Sequence, residues 1–235
     1  CINSDTCCPS GCNSGNDNDC PVTPGSELVL YLPFNGNTND ASGNNNHGTL
    51  YNALYTSSGI SGAYTFDGTD DYINIPNSAT LSSPSTSNAI TITTWIKPDV
   101  FDYKGYIVSK NSGASLKSYI LRTYLFSPNG QLRFSLGCDG AIVSTIIFND
   151  LQFNTGTWAF VAVTSDGATI KGYKNGVASS TTGTAPSCIF PSAVPVRIGA
   201  DADTNYEFDG AIDEVRIYNR ALSASEISDL YNSYP

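Results

Sequence analysis

The segment from residue 35 to residue 48 is dense in possible metal ligands. It reads NGNTNDASGNNNHG, with Asp40 as its one carboxylate and His47 as its one histidine. Carboxylate, amide and backbone oxygens are hard ligands that suit calcium. A hydrated Asn/Gly turn without metal explains the same composition, and composition alone does not choose between them.

A second carboxylate of interest, Asp213, lies in the apolar run AIDEVRIY at residues 211–218. Strand side chains alternate with period two, so Asp213 is predicted to share a face with Val215 and Ile217. If that face is the core, the charge needs a cation or several hydrogen-bond donors. Glu214 and Arg216 fall on the opposite face, where they can pair across a solvated surface.

The composition excludes several functions. The chain has 235 residues and 11 basic against 21 acidic side chains, a net charge of −10, which argues against a nucleic-acid partner. No run approaches the roughly 18 apolar residues of a membrane span, so no transmembrane segment is expected. Five of the seven cysteines lie in the first twenty residues, which indicates disulfides made in an oxidising compartment. We expect an extracellular protein, secreted or at the cell surface.

The chain divides into a Cys-rich segment (1–20), a Pro/Gly linker (21–26) and one large domain (27–235). In the segment, two bridges are expected among Cys1, Cys8, Cys12 and Cys20, with Cys7 left over and the pairing open. A zinc site and a lipidated Cys1 are the alternatives, and Cys7 could bridge chains. In the large domain Cys138 and Cys188 are expected to pair, with two buried free thiols as the alternative.

The large domain shows short apolar runs separated by Gly, Asn and Asp, the pattern of an all-β antiparallel sandwich or jelly roll. The first and last strands of a jelly roll commonly lie side by side, so Asp40 and Asp213 are expected to converge on one ion. One short C-terminal helix is predicted from the capping box at Ser223 and Glu226, packed on the sandwich edge. The runs cover residues 27–34, 72–75, 89–96, 106–108, 119–126, 131–136, 141–148, 157–164, 169–173, 196–198 and 211–218.

Several motifs together resemble the LamG-like jelly rolls of the concanavalin A-like lectin/glucanase superfamily. They are LYLPFN at 30–35, DASGN at 40–44, GTL at 48–50, YTFDGTDDYI at 64–73, TWIKP at 94–98 and FDGAIDEVRIYNRALS at 208–223. The resemblance implies a two-sheet jelly roll, structural calcium, and a role in glycan binding or adhesion. By this analogy Asp40, Asn44 and Asp213 are the calcium candidates. The N-terminal segment is similar to short Cys-rich segments of archaeal surface proteins.

Catalysis is not expected, although the superfamily includes glucanases. Retaining glycosidases need two carboxyl groups about 5 Å apart, which on this fold typically come from an E-x-D-x-E strand. The chain has four glutamates and no such spacing. A single histidine without a nucleophile motif also argues against a catalytic triad.

Two functions remain. The first is a calcium-stabilised module that binds a glycan or cell-surface polysaccharide, because the 14 tyrosines can stack on sugars. Tyr103, Tyr124 and Tyr206 fall in or near loops and are the predicted sugar contacts, whereas Trp95 and Trp158 are expected to be buried. The second is a structural subunit of a surface layer or filament that self-associates.

Overall fold

The chain forms two antiparallel β-sheets that pack face to face. A computed structural model describes residues 27–101, 105–112, 116–126, 129–203 and 206–234. The predicted Cys-rich segment with Cys1, Cys8, Cys12 and Cys20, the linker, and Tyr103 lie outside these residues.

Fifteen strands and two helices occur in the described part of the chain. In order they are β1 (Leu28–Leu32), β2 (Thr49–Tyr51), β3 (Leu54–Thr56), β4 (Ala63–Asp67), β5 (Tyr72–Ile75), α1 (Ala79–Ser87), β6 (Ile90–Pro98), β7 (Tyr106–Ser112), β8 (Leu116–Phe126), β9 (Asn129–Cys138), β10 (Ala141–Phe153), β11 (Ala159–Ser165), β12 (Thr169–Lys174), β13 (Val177–Thr184), β14 (Val196–Ile198), β15 (Asp209–Tyr218) and α2 (Ala224–Asn232).

The strand order confirms the predicted jelly-roll sandwich. The first sheet runs β13-β12-β11-β6-β15-β4-β3, and β1 also pairs with β15. The second sheet runs β10-β9-β8-β7-β14-β5-β2. The first and last strands lie side by side as expected, with Tyr31 opposite Arg216. The core lies between the sheets and is built from alternating strand residues such as Leu30, Ile92 and Phe134, all fully buried.

The face assignment of Asp213 was wrong, because β15 contains a β-bulge. Ile212 pairs with Ile96 and Ile217 with Ile92, both core residues, but the register shifts between Asp213 and Arg216. Glu214, inside this interval, has a φ of 55°. Directly paired residues share a face of the sheet, so Asp213, which pairs with Trp95, lies on the outer side of the first sheet.

Helix α2 covers that outer side. The predicted capping box is present, since Glu226 N donates to Ser223 Oγ (3.3 Å) and Ser223 N donates to Glu226 Oε2 (2.7 Å). The helix contacts the edge strand β13 and also extends over the outer face of the sheet. The ring of Tyr231 lies 5.8 Å from that of Trp95, in an apolar cluster centred on the outer faces of β6 and β11. Trp95 is buried as predicted, and Trp158 is partly buried.

Helix α1 was not predicted from the sequence. Its N-cap, Ser78, accepts a hydrogen bond from Leu81 N at 3.2 Å, and the helix ends at Asn88 in the left-handed region. It contains Pro84 and is rich in Ser and Thr, which have modest helix propensity, so no apolar period marks it. No helix in the described ranges is both long enough and apolar enough to cross a bilayer.

The predicted disulfide between Cys138 and Cys188 is confirmed. It joins the end of β9 to the segment that precedes β14, with 5.3 Å between the Cα atoms. Beside it, Phe190 N donates to Gly137 O at 2.8 Å. The bridge therefore fastens a long connection to the second sheet.

Candidate functional site

The Asp40 carboxylate is surrounded by hydrogen-bond donors of the protein itself. Its Oδ1 accepts from the backbone N–H groups of Tyr31 (3.0 Å) and Ser42 (2.9 Å). Its Oδ2 accepts from Ser42 Oγ (2.8 Å) and from Asn46 N (2.9 Å). These four bonds fold the loop after β1 back onto that strand, which gives Asp40 a structural role.

Asn44 and His47 belong to the same loop. The Asn44 amide nitrogen donates to Leu28 O at 2.8 Å and to Ser42 Oγ at 3.0 Å. His47 Nδ1 accepts from Asp40 N at 3.1 Å. The loop is therefore held to β1 by its own polar side chains.

Asp213 has a different environment, in which one carboxylate oxygen lacks a donor. The side chain is 0% exposed, and its Oδ2 accepts from Ile60 N at 3.0 Å. Its Oδ1 is buried without a hydrogen-bond partner in the described part of the chain. Burial raises the pKa of the Asp213 carboxyl to about 7, opposed by the Ile60 N–H and reinforced by the charge of Glu214. A buried carboxylate oxygen without a donor is costly, and a cation would satisfy it.

The loop between β3 and β4 connects Asp213 to the segment that follows β1. The backbone N–H of Ser61 is one of the donors that lower the Asp213 pKa. The same residue faces the Asn35 side-chain amide, one atom of which lies 2.7 Å from Ser61 Oγ and 3.2 Å from Ser61 O. That atom is also 3.2 Å from Pro33 O. The amide nitrogen of Asn35 donates to these acceptors.

The backbone around this point is unusual. Phe34, which precedes Asn35, has a φ of 53°, and Glu214, which follows Asp213, has a φ of 55°. A bulky residue with positive φ is uncommon. Such strain persists only where the surroundings fix it, and it concentrates at functional sites. Gly62 has a φ of 131°, and a Cβ added there would lie 2.7 Å from the Tyr55 hydroxyl.

We use the name oxygen cluster for the set of four residues Asp213, Asn35, Ser61 and Pro33. Its carboxylate, hydroxyl and carbonyl groups are oxygen donors of the kind that hard divalent cations take. In the described part of the chain, the hydrogen bonds found for the Asp40 and Asp213 carboxylates involve no common residue, so the ion shared by Asp40, Asn44 and Asp213 stays a prediction. Asn35 begins the segment 35–48 in which the sequence predicts metal ligands, whereas Ser61 was not singled out from the sequence.

The aspartates of the FDGTDDYI motif form a separate acidic group. One carboxylate oxygen from each of Asp67, Asp70 and Asp71 lies within 4.8 Å of the others. Asp71 Oδ2 accepts from Asp67 N at 2.8 Å, and Asp67 Oδ1 accepts from Thr69 N at 2.9 Å. These bonds are those of a self-supporting turn.

Two of the predicted sugar contacts lie close together on the outer face of the second sheet. Tyr206 is 42% exposed, and its ring stacks on that of Tyr106 with 5.1 Å between centroids. The guanidinium of Arg122 lies 5.3 Å from the Tyr106 ring and 5.6 Å from the Tyr124 ring. The second sheet thus presents a face of tyrosines and arginines, which we call the Tyr/Arg face: Tyr106, Tyr124, Tyr206, Arg122 and Arg133.

The fold is a two-sheet antiparallel sandwich, and sequence comparison gives its family. The model of the Laminin_G_3 family, of the concanavalin A-like lectin/glucanases superfamily, matches residues 67–228. The chain belongs to this family, which confirms the superfamily resemblance.

Individual relatives are distant. The chain is 25% identical over 166 residues to adhesion G-protein coupled receptor V1 of Danio rerio, and the match spans 3% of that receptor's length.

Solved structures share the fold at low identity. Domain 4 of AbnA, an extracellular arabinanase of Geobacillus stearothermophilus crystallised with arabinotriose, is 22% identical with a TM-score of 0.67, over 87% of this chain and 98% of that one. The binding domain of Paraclostridial Mosquitocidal Protein 1 is 20% identical with a TM-score of 0.67, over 90% and 53%. The binding domain of botulinum neurotoxin serotype G is 17% identical with a TM-score of 0.66, over 88% and 51%.

The raised pKa of Asp213 predicts a pH dependence of the metal-free protein. Between the ordinary carboxyl pKa of 3.8 and about 7, the folded state keeps a proton that the unfolded state has lost. The stability from this proton is complete below pH 3.8 and is lost as pH rises through 7. In EDTA, Asp213→Asn should therefore be more stable than wild type at pH 8, by at most about 4 kcal/mol, and less dependent on pH between 5 and 8.

Urea unfolding at several pH values measures this effect. Asp99→Asn, which removes an exposed carboxylate, is the control and should keep the wild-type slope. Equal pH slopes for wild type and Asp213→Asn would contradict the prediction.

Proposed function

We propose that this chain is a non-catalytic extracellular module that binds carbohydrate through its Tyr/Arg face and is stabilised by calcium at the oxygen cluster. The observation that carries the proposal is the half-exposed Tyr206 ring, stacked on Tyr106 beside Tyr124. Tyrosine offers an apolar ring to the C–H face of a sugar and a hydroxyl for hydrogen bonding.

The polar groups beside these rings favour a sugar over an apolar ligand. Arg122 is half-buried next to Tyr106 and Tyr124, and Gln131, directly opposite Tyr124 in the register of β8 and β9, is buried. Binding sites commonly combine apolar area with a few placed donors that fix the orientation of the ligand. A tyrosine platform bordered by guanidinium and amide groups matches that description.

The comparisons support this proposal. One similar fold was crystallised with arabinotriose, two are binding domains of toxins, and the curated relative is an adhesion receptor. These relatives suggest recognition outside the cell. The match spans only 3% of the receptor's length, so the ligand of this chain has to be inferred from its own residues.

For calcium, the proposed ligands are the Asp213 carboxylate and the oxygens of Ser61 and Pro33, with the Asn35 amide nitrogen joining the last two. A bound Ca²⁺ supplies positive charge to the Asp213 oxygen that otherwise has no partner. These residues come from β15, the loop before β4 and the segment after β1. Binding would therefore tie three segments together that are far apart in the chain.

Calcium should raise the thermal midpoint of wild-type protein at pH 7.5, and EDTA should reverse the increase. A ligand at one hundred times its Kd stabilises the folded state by about 2.7 kcal/mol. Asp213→Asn should abolish the increase, because the amide supplies no charge. Asp70→Asn, in the separate acidic turn, should retain it. A midpoint that does not respond to calcium, or that responds equally in Asp213→Asn, would overturn the calcium proposal.

Carbohydrate binding is tested with a panel of neutral and acidic polysaccharides, first by affinity electrophoresis and then by calorimetry on oligosaccharides. Tyr206→Ala should weaken binding roughly three- to tenfold, the loss expected for about 1 kcal/mol of ring contact. Tyr55→Ala removes a similarly exposed ring from β3 and is the matched control. No saturable binding to any member of the panel, with the protein folded, would refute the carbohydrate-binding proposal.

A second candidate function, assembly into a surface layer or filament, is favoured by the exposed strands β2 and β3. Each is the last strand of its sheet, and the two are neighbours in the chain. Both carry exposed apolar side chains, namely Leu50, Tyr51, Leu54 and Tyr55. Exposed apolar edge strands tend to pair with other chains.

If this edge assembles, wild-type protein should form oligomers whose fraction grows with concentration in sedimentation velocity runs. Leu54→Lys, at a side chain that is 70% exposed, should reduce that fraction at least tenfold without changing the thermal midpoint. Val177→Lys, at an equally exposed position on β13, is the control. A wild-type protein that stays monomeric at all concentrations would argue against assembly.

A further inference from the structure

Two arginines face each other on the Tyr/Arg face. Arg122 of β8 and Arg133 of β9 are direct partners in the strand register, so their side chains leave the sheet on the same side. Like charges directly opposite on neighbouring strands destabilise a sheet. The arrangement is notable in a chain whose net charge is −10.

Arg133 has no acidic partner in the described ranges. The ion pairs found there involve Arg216 and Arg220, and the charged or ionisable groups that act on Arg133 are Arg122, Tyr124 and Tyr106. Burial lowers the pKa of Arg133, and the positive charge of Arg122 lowers it further. Its Nε is buried and has no acceptor. The fold thus holds a partly desolvated guanidinium whose Nε–H group has no hydrogen-bond acceptor.

The Tyr124 ring explains how the guanidinium groups of Arg122 and Arg133 can lie close together, but it leaves the Arg133 Nε–H group without an acceptor. Its ring lies 5.6 Å from the Arg122 guanidinium and 5.3 Å from that of Arg133. Cation–π contacts of this kind contribute about 0.5–1 kcal/mol at exposed sites. They offset part of the repulsion, yet an aromatic face does not replace the oxygen that Nε requires.

We infer that the Tyr/Arg face binds a sugar that carries a carboxylate, with the carboxylate at Arg133 and the ring of the sugar against the exposed tyrosine. This inference rests on the proposed carbohydrate-binding function and narrows its ligand. A guanidinium matches a carboxylate with two parallel N–H···O bonds, and the negative charge relieves the Arg122–Arg133 repulsion. A neutral sugar supplies hydroxyl acceptors but brings no negative charge to Arg133.

The carboxylate can come from a uronic acid or from a sialic acid, and the experiment separates them. Calorimetry compares oligogalacturonide with its methyl ester, and sialyllactose with lactose. The first pair shares its sugar rings and differs only in the charge of its carboxyl groups, whereas the second pair differs by the whole sialic acid residue. We expect at least roughly tenfold tighter binding of one acidic member than of its neutral counterpart. The preference should shrink as salt is raised, because the interaction is between charges.

Variants of the arginines test whether the preference for the acidic ligand depends on Arg133. Arg133→Gln should remove the preference for the acidic ligand while keeping residual binding to the neutral one, and Arg133→Lys should retain only part of it. Lys171→Gln removes one positive charge from an exposed position on the first sheet and is the control for overall charge. Wild-type thermal midpoints would show that a variant is folded.

The outcomes separate this inference from the proposed function. Equal binding of acidic and neutral members would overturn the inference and leave carbohydrate binding standing. An acidic preference that survives in Arg133→Gln would also overturn it. Absence of binding to these ligands and to the whole polysaccharide panel would overturn both. A preference lost in Arg133→Gln and kept in Lys171→Gln would support it.

Discussion

The buried carboxylate of Asp213 is the constraint on which the rest of the candidate site depends. It is placed by a bulge in β15, an interior strand of the first sheet that pairs with β6, β4 and β1. An ionised group at full burial needs compensation, and it receives backbone N–H groups from Ile60 and Ser61, in the loop between β3 and β4, and from Glu214. That loop also reaches Asn35, so the position of one side chain organises segments separated by about 150 residues.

The outer faces of the two sheets differ in what covers them and in how their charges are balanced. On the first sheet, α2 and an aromatic cluster that includes Trp95, Phe160 and Tyr231 cover the strands. There Glu214 forms an ion pair with Arg216 at 2.9 Å and accepts a hydrogen bond from the Tyr234 hydroxyl at 2.8 Å. Its negative charge is therefore balanced within the protein. On the second sheet, Arg133 has no such partner among the described residues. This contrast is why we place ligand recognition on the second sheet.

The sequence predicted what depends on local pattern and missed what depends on backbone detail or long-range register. Alternating runs gave most strands of the sandwich, and the Ser223/Glu226 box gave α2. The pairing of Cys138 with Cys188 followed from their being the domain's two cysteines. The bulge at Glu214 was invisible because nothing in AIDEVRIY signals a positive φ, and so Asp213 was assigned to the wrong face. The opposition of Arg122 and Arg133 depends on the β8–β9 register, and the Asn35–Ser61 contact on a loop path, neither of which a single sequence reveals.

The pairing of β1 with β15 also determines how the domain would respond to mechanical load. Leu28 lies opposite Tyr218, so the segments before β1 and after β15 leave the sheet from the same end. Tension between those segments would first have to detach α2, which packs on the first sheet. It would then open the β1–β15 hydrogen bonds one after another from that end, rather than shearing them all at once. A peeling geometry yields at low force, and the strand released first is the one that leads directly to Pro33, Phe34 and Asn35.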